Sequence, residues 1–107
     1  MELKQYAIFL VNLDPTIGSE MRKTRPSVIL SPDEMNKHLQ TIVIAPITSN
    51  SKPYPTRVEV KHNKIKGWIV LDQIRTVDRQ RVIKALDFLN QDEIDNIKTV
   101  LKETYVD

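Results

Sequence analysis

The side chains best suited to chemistry are concentrated in two polar segments. The first, residues 13–26, holds Gly18, an acid at Glu20 and then three bases that end at Arg25, immediately before an apolar run. This connection is longer than the usual two to five residues of a hairpin loop, and long ordered loops commonly carry function. Composition alone leaves two interpretations of Arg25 open: a cation for an anionic ligand, or a strand-edge salt bridge to Glu20 or Asp14.

The second polar segment follows the most hydrophobic run of the chain, residues 41–47. There Thr48, Ser49 and Asn50 bring two hydroxyls and an amide together, and Ser51 adds a third hydroxyl. Such groups can donate and accept hydrogen bonds with a bound ligand. They also bond readily to their own backbone in turns, and the residues alone favour that simpler interpretation.

Several classes of catalytic site are excluded by what the sequence lacks. Cysteine is absent, which excludes thiolate nucleophiles and disulfides. Glycine occurs only at Gly18 and Gly67, too far apart for a glycine-rich phosphate loop, so each glycine is expected where the backbone needs one. His38 and His62, the only histidines, have no metal-ligand spacing with acids, and both are expected on the solvated surface. The sequence therefore predicts no metal site, no cofactor and no histidine base.

Charge is distributed unevenly along the chain although the net charge is only +2. Residues 52–84 carry nine Lys and Arg against three acids, a net of +6, and residues 85–107 carry two bases against six acids, a net of −4. A basic segment attracts polyanions, with RNA and DNA first among them. On charge alone, a solvated face with scattered lysines remains the simpler interpretation.

The elements that must position these side chains are mostly short strands. Apolar and alternating runs predict strands at residues 6–11, 27–30, 41–47, 56–60, 68–71 and 82–89, with residues 72–78 as a strand end that passes into a corner. Pro46 is expected to impose an edge or a bulge on its strand, because proline has no N–H for a sheet ladder.

Helix signals occur at two places. Ser31 followed by Pro32 predicts a short helix that runs to about Lys37, with Ser31 as N-cap. Asn90 opens a C-terminal helix through a capping box with Glu93, and Ile94, Ile97 and Leu101 form its apolar face. We therefore predict one domain over residues 1–107, mainly β: a small, half-open, SH3-like barrel of about six or seven strands with a C-terminal helix and a short internal helix.

Three motifs, in order, resemble those of the MazF/PemK toxin family. Residues 13–15, 18–20 and 23–30 are similar to the family's N-terminal signature, residues 45–50 to its second motif and residues 71–81 to its third. With the flanking strands, the resemblance spans essentially the whole chain. It implies the fold shared by CcdB and MazF and a sequence-specific endoribonuclease that blocks translation as the toxin of a toxin–antitoxin pair.

By this resemblance, Arg25 and Thr48 are the catalytic pair. RNA supplies its own nucleophile, the 2′-hydroxyl, so the protein needs only to orient it and stabilise the charged transition state. The expected products are a 2′,3′-cyclic phosphate or 3′-phosphate and a 5′-hydroxyl, formed without a metal. Because the pKa of arginine exceeds about 12, an electrostatic role for Arg25 is favoured over that of general base, and the proton acceptor stays open.

The resemblance also assigns RNA-binding roles. A loop over the RNA is expected to hold Gly18, Ser19, Glu20 and Lys23. We expect Asn50, Ser51 and Gln73 to bind base edges, and Ser49 to be a further RNA-binding residue. The RNA phosphates are expected to bind along the basic side chains of Arg57, Lys61, Lys64 and Lys66. Asp72 and Arg75 are expected to be structural, paired near the corner or across a dimer.

The implied partners are single-stranded RNA, a second copy of the chain and a MazE-like antitoxin with an acidic, disordered segment. A cytoplasmic location without membrane contact is expected, because no apolar run approaches the roughly 20 residues of a membrane span and the N-terminus lacks signal-peptide features. Two alternatives remain: a CcdB-like inhibitor of DNA gyrase, whose Trp-Gly-Ile ending this sequence lacks, or an RNA-binding barrel without catalysis. Lys4-Gln5-Tyr6 replaces the family's basic-Gly-acidic turn, so a different N-terminal turn is expected.

Overall fold

The computed structural model describes residues 2–13, 23–62 and 64–106. Within these residues the strands are β1 (Ala7–Asn12), β2 (Thr24–Ile29), β3 (Thr41–Thr48), β4 (Arg57–His62), β5 (Ile65–Val70), β6 (Arg75–Asp78) and β7 (Val82–Phe88). The helices are α1 (Asp33–His38) and α2 (Gln91–Tyr105). The predicted mainly β, half-open barrel with a short internal helix and a C-terminal helix is confirmed. None of the helices in these ranges is long and apolar enough to cross a membrane.

All the strand pairs are antiparallel, and β3 organises them. The strand order is β4-β5-β3-β2-β1-β7, and β6 pairs with β3 off this path. On one side β3 pairs with β2, while on the other it pairs first with β6, through residues 41–44, and then with β5, through residues 47–48. The partner of β3 on this side therefore changes between residues 44 and 47.

Pro46 occupies the gap between those two partners. No bulge is found at Pro46, because it pairs with Ser27 of β2 in a constant register; the predicted edge is present only locally, on the other side of β3. The carbonyl of Val43 accepts a hydrogen bond from Leu30, so the backbone groups of Val43 point towards β2. Successive residues of a strand point to alternate sides, so the nitrogen of Pro46, three residues later, points away from β2. Neither β6 nor β5 pairs with Pro46 there, so its missing N–H removes no ladder hydrogen bond.

Two buried clusters cover the two faces of the sheet. In β1, Ile8 belongs to one cluster and its neighbour Phe9 to the other, which explains why the β1 sequence is continuously apolar. Ile94 and Ile97 of α2 pack into the first cluster. The Asn90–Glu93 capping box at the start of α2 is confirmed.

The predicted cap of α1 is wrong. The N-cap is Pro32, and no side chain caps the helix. The hydroxyl of Ser31 instead donates to Oδ1 of the buried Asn36 at 2.5 Å and accepts the backbone N–H of Val43 at 3.0 Å. The buried amide of Asn36 and the N–H of Val43 would lose free energy without a hydrogen-bond partner, whereas the exposed N–H groups at the start of α1 can bond to water. The Ser31 hydroxyl therefore bonds to Asn36 and Val43.

His62 is also not where the sequence predicted it. Its side chain is only 16% exposed and lies between Glu93 of α2 (Nε2 to Oε1, 2.5 Å) and Asp87 of β7 (Nδ1 to Oδ2, 3.6 Å). The sequence predicted His62 in a solvated turn after the strand at 56–60, but α2 and β7 cover it. His38 is exposed, as expected, with 69% of its side chain accessible.

The N-terminal turn is formed by Tyr6 in a left-handed conformation, with φ of 70°. Its N–H donates to Ile29 at 2.7 Å, and its carbonyl accepts the N–H of Leu89 at 3.1 Å. Non-glycine residues seldom adopt such a φ, so the surrounding hydrogen bonds hold Tyr6 in this conformation.

Candidate active site

Arg25 and Thr48 lie on one cleft of about 580 Å³. The described residues that line the cleft are Leu13, Lys23, Arg25, Pro46, Thr48, Asn50, Arg57, Val70, Gln73 and Arg75. Five of the predicted site residues, far apart in sequence, are therefore brought together: Lys23, Arg25, Thr48, Asn50 and Gln73.

The register of β2 against β3 explains this convergence. The last pair towards the cleft is Ser27 with Pro46, and the same antiparallel register continued by two residues sets Arg25 opposite Thr48. Side chains two residues apart on a strand share a face, so Arg25 and Thr48 lie on the same side of the sheet as that last pair. The strands no longer pair at this point, and the cleft lies there.

Arg25 is exposed at the cleft. No acid in the described part of the chain forms an ion pair with Arg25. The proposed structural partners, Glu20 and Asp14, lie outside the described residues. Its fork of donors is therefore open to a ligand on the side of the described cleft, where a phosphate can accept two hydrogen bonds.

The hydroxyl of Thr48 forms a turn with Asn50. It lies 3.4 Å from both the nitrogen and the carbonyl oxygen of Asn50. The simpler interpretation of this segment, a turn bonded to its own backbone, thus describes its local structure. Contacts this long are weak, and the hydroxyl can rotate towards a ligand in the cleft.

Arg57 and Asp72 form the ion pair at this end of the barrel. Asp72 accepts from Oγ1 of Thr56 at 3.0 Å and from Nε of Arg57 at 3.4 Å. Desolvation raises the pKa of the Asp72 carboxyl, but the hydrogen bonds from Arg57 and Thr56 and the charge of Arg57 outweigh it and hold that pKa below its ordinary value. Within the chain Asp72 thus has a structural partner in Arg57, while Arg75 lines the cleft; pairing of either residue across a dimer stays a prediction.

The remaining predicted residues are divided between neighbouring surfaces. Ser49 lies on a second cleft, of about 470 Å³, lined by Lys23, Thr24, Arg25, Pro26, Ile47, Ser49, Lys64, Ile65 and Lys66. Ser51 accepts a hydrogen bond from Nη1 of Arg57 beside the main cleft. Lys61 is exposed and pairs with Glu59 at 3.6 Å, away from the main cleft. Gly18, Ser19 and Glu20 lie outside the described residues.

Sequence reasoning missed Arg75 as a residue of the main cleft. Arg57 was predicted to contact phosphates; it lines the main cleft, and its side chain is only 16% exposed. The described lining carries four cations, Lys23, Arg25, Arg57 and Arg75, and no carboxylate. Among residues 2–13, 23–62 and 64–106, no three His, Cys, Asp or Glu side chains are grouped to hold a metal ion. This arrangement is suited to a polyanion.

Comparison with known proteins gives the family. Residues 4–105 match the family described as the PemK-like, MazF-like toxin of type II toxin–antitoxin systems. The chain is 39% identical over 98 residues to an endoribonuclease MazF of Staphylococcus epidermidis, and the match covers 83% of this chain and 82% of that protein.

Solved structures share the fold. MazF of Deinococcus radiodurans superposes with a TM-score of 0.80 at 25% identity, covering 94% of this chain and 93% of that one. The MazE–MazF structure from the same organism gives a TM-score of 0.83 at 24% identity over 96% and 95%. The resemblance based on the three sequence motifs is thus confirmed, and the chain belongs to the PemK-like, MazF-like toxins of type II toxin–antitoxin systems.

Proposed function

We propose that this endoribonuclease cleaves single-stranded RNA without a divalent metal, with Arg25 and Thr48 as its catalytic residues. The observation that carries the proposal is that both residues line one cleft, at the point where the β2–β3 register, continued two residues beyond its last pair, sets Arg25 opposite Thr48. The cleft at that point is lined by four cations and, in the described part of the chain, by no carboxylate. Such a lining favours the phosphates of RNA over a divalent cation.

The reaction is an internal transesterification. The 2′-oxygen attacks the adjacent phosphorus, the bond from phosphorus to the 5′-oxygen breaks, the 2′-hydroxyl loses its proton and the 5′-oxygen gains one. The products are a 2′,3′-cyclic phosphate, which can open to a 3′-phosphate, and a 5′-hydroxyl. Arg25 stabilises the charge on the non-bridging oxygens through two hydrogen bonds, and Thr48 donates a third to an oxygen of the same phosphate.

Recognition of the RNA is assigned to the surfaces beside this pair. Asn50 and Gln73 of the main cleft, with Ser49 and Ser51 at its margins, offer donors and acceptors to base edges, which is how single-stranded RNA is usually recognised. Lys23 lies on both the main and the second cleft, so it is placed to hold the phosphate between them. The predicted contacts of Gly18, Ser19 and Glu20 remain predictions.

A second copy of the chain and an antitoxin are the proposed partners. β7 lies at one end of the strand order and exposes Ile83 and Phe88, which suits an interface between copies. A mycobacterial relative has been solved in complex with its cognate antitoxin. We expect a MazE-like antitoxin to lay an acidic segment in the basic cleft and compete with RNA. The affinities of this chain for the antitoxin and for RNA should then both decrease as the salt concentration rises. Antitoxin binding that does not depend on salt would contradict the proposal that the antitoxin competes with RNA.

The test is cleavage of a long synthetic RNA by purified protein in EDTA, with analysis of the fragment ends. Arg25→Ala is the inactive variant, and Lys98→Ala, which removes a positive charge from the exposed face of α2, is the matched control. Fragments with 5′-hydroxyl ends from the wild type and Lys98→Ala, but not from Arg25→Ala, are expected. If folded wild-type protein cleaves no RNA, the proposal fails in favour of binding without catalysis.

A further inference from the structure

One aromatic side chain stands beside the active-site cleft without a role in the reaction. Tyr54 is 49% exposed. It borders a shallow cleft of about 480 Å³ lined by Asn50, Ser51, Lys52, Tyr54 and Arg57. Asn50 and Arg57 also line the main cleft, so the two spaces are contiguous. We call this smaller space the side cleft.

The backbone holds Tyr54 between two prolines, Pro53 and Pro55. The N–H of Tyr54 donates to Lys52 at 2.8 Å, which closes a three-residue turn around Pro53. The N–H of Arg57 donates to the carbonyl of Tyr54 at 3.0 Å, which closes a four-residue turn with Pro55 at its second position. Because proline fixes φ, the Tyr54 ring is presented on a preorganised backbone.

The Tyr54 ring is also supported from one side. The guanidinium carbon of Arg57 lies 4.8 Å from the ring centroid. Arg57 is itself fixed by Asp72 through Nε at 3.4 Å and by Ser51 through Nη1. A cation fixed beside one aromatic face stabilises the ring in this position, and the ring is left half-exposed beside the clefts.

We propose that the Tyr54 ring is a stacking surface for a nucleobase of the single-stranded RNA, next to the bases read in the main cleft. The inference rests on the proposed function and adds a base subsite to it. A flat, half-exposed ring among Asn, Ser, Lys and Arg matches the chemistry of a nucleotide, whose base stacks while its phosphate meets a cation. An apolar peptide would find only one apolar side chain in the side cleft.

The experiment measures binding, so that it is independent of catalysis. Fluorescein-labelled single-stranded RNA of mixed sequence, with 2′-fluoro sugars that cannot be cleaved, is titrated with wild type, Tyr54→Phe and Tyr54→Ala. A labelled abasic oligomer of the same length, with phosphates but no bases, is titrated in parallel. Thermal unfolding verifies that each variant is folded, and cleavage of natural RNA by the wild type tests the proposed function separately.

We expect Tyr54→Ala to bind the base-bearing RNA about five- to a hundredfold more weakly than the wild type, in line with the loss of one stacked base. The abasic oligomer should bind both proteins equally, and Tyr54→Phe should match the wild type on both ligands. Equal affinity of Tyr54→Ala and wild type for the base-bearing RNA would overturn the inference. An equal loss on both oligomers would also overturn it, because the ring would then act on the backbone or the fold.

Discussion

Gly67 of β5 lies directly against the backbone of Thr48. A Cβ on Gly67 would collide with the carbonyl oxygen of Thr48 and lie 3.0 Å from its carbonyl carbon and 3.2 Å from Cγ2 of Ile47. β5 pairs with the last two residues of β3, so the missing side chain of Gly67 lets the strand that carries Thr48 pack at this distance. The sequence expectation that this glycine serves a backbone need is confirmed.

We therefore expect Gly67→Ala to damage catalysis beyond its effect on folding. The added methyl forces Thr48 away, and a displacement of about 1 Å of a catalytic group can cost about a hundredfold in rate. The measurement is the single-turnover cleavage rate per folded molecule, with thermal unfolding alongside.

The matched control for Gly67→Ala is Val60→Ala. Val60 pairs with Gly67 across β4 and β5 and is fully buried. The cavity should cost about 2 kcal/mol of stability while the folded fraction cleaves at the wild-type rate. If the two variants lose activity only in proportion to their unfolding, Gly67 has no positioning role.

The hydroxyl of Thr48 is predicted to matter in the transition state. Thr48→Val keeps the shape but removes the donor, and the loss of one such donor lowers the rate by about 10²–10³. Thr48→Ser should stay within about tenfold of the wild type. The decrease in Thr48→Val should appear in kcat with KM nearly unchanged. A change confined to KM would instead make Thr48 a binding residue.

The fold could be predicted from the sequence where local pattern and environment agree. The capping box of Asn90 with Glu93 and the apolar face of α2 are local, and both are confirmed. The prediction of Ser31 as the N-cap of α1 was wrong because its hydroxyl bonds to Val43 and Asn36 instead. No local sequence pattern indicates these partners. Tyr6 forms the N-terminal turn with a positive φ, and the expected difference from the family's turn stays a prediction.

The sequence motifs predicted the residues of the candidate site, but the sequence did not predict which of them form ion pairs. The motif order indicated Arg25 and Thr48, and the β2–β3 register, continued by two residues, explains why both line the same cleft. The partner of Asp72 was missed because Arg57 lies 15 residues before it on β4 and reaches it only after β4 and β5 pair. Which side chains form ion pairs depends on such non-local pairing, which charge along the sequence does not specify.

His62 is predicted to stabilise the junction between β4, β7 and α2. Substitution with Ala removes its contact with the nearly buried Glu93, whose side chain is 9% exposed, and leaves that carboxylate with fewer partners. The expected cost is about 1–3 kcal/mol, measured by urea unfolding at neutral pH.

The other histidine supplies the control for this prediction. His38 pairs with Glu34 at 3.3 Å on the surface of α1, and both side chains are mostly exposed. His38→Ala should leave stability nearly unchanged, because exposed ion pairs contribute little. Equal effects of the two substitutions would show that the burial of His62 has no energetic consequence.

The lowered pKa of Asp72 predicts an acid-side loss of stability. A carboxyl whose folded pKa lies below its unfolded value, about 3.9, stabilises the fold fully at higher pH. That stabilisation disappears as the pH falls through the folded pKa. Wild type should therefore be more stable than Asp72→Asn above about pH 5, and the difference should shrink towards about pH 2. Urea unfolding across this range measures it. Arg57→Gln removes the partner of Asp72, so its difference from the wild type in free energy of unfolding should also shrink towards low pH. A difference for Asp72→Asn that does not change with pH would mean that ionisation of Asp72 contributes nothing to stability.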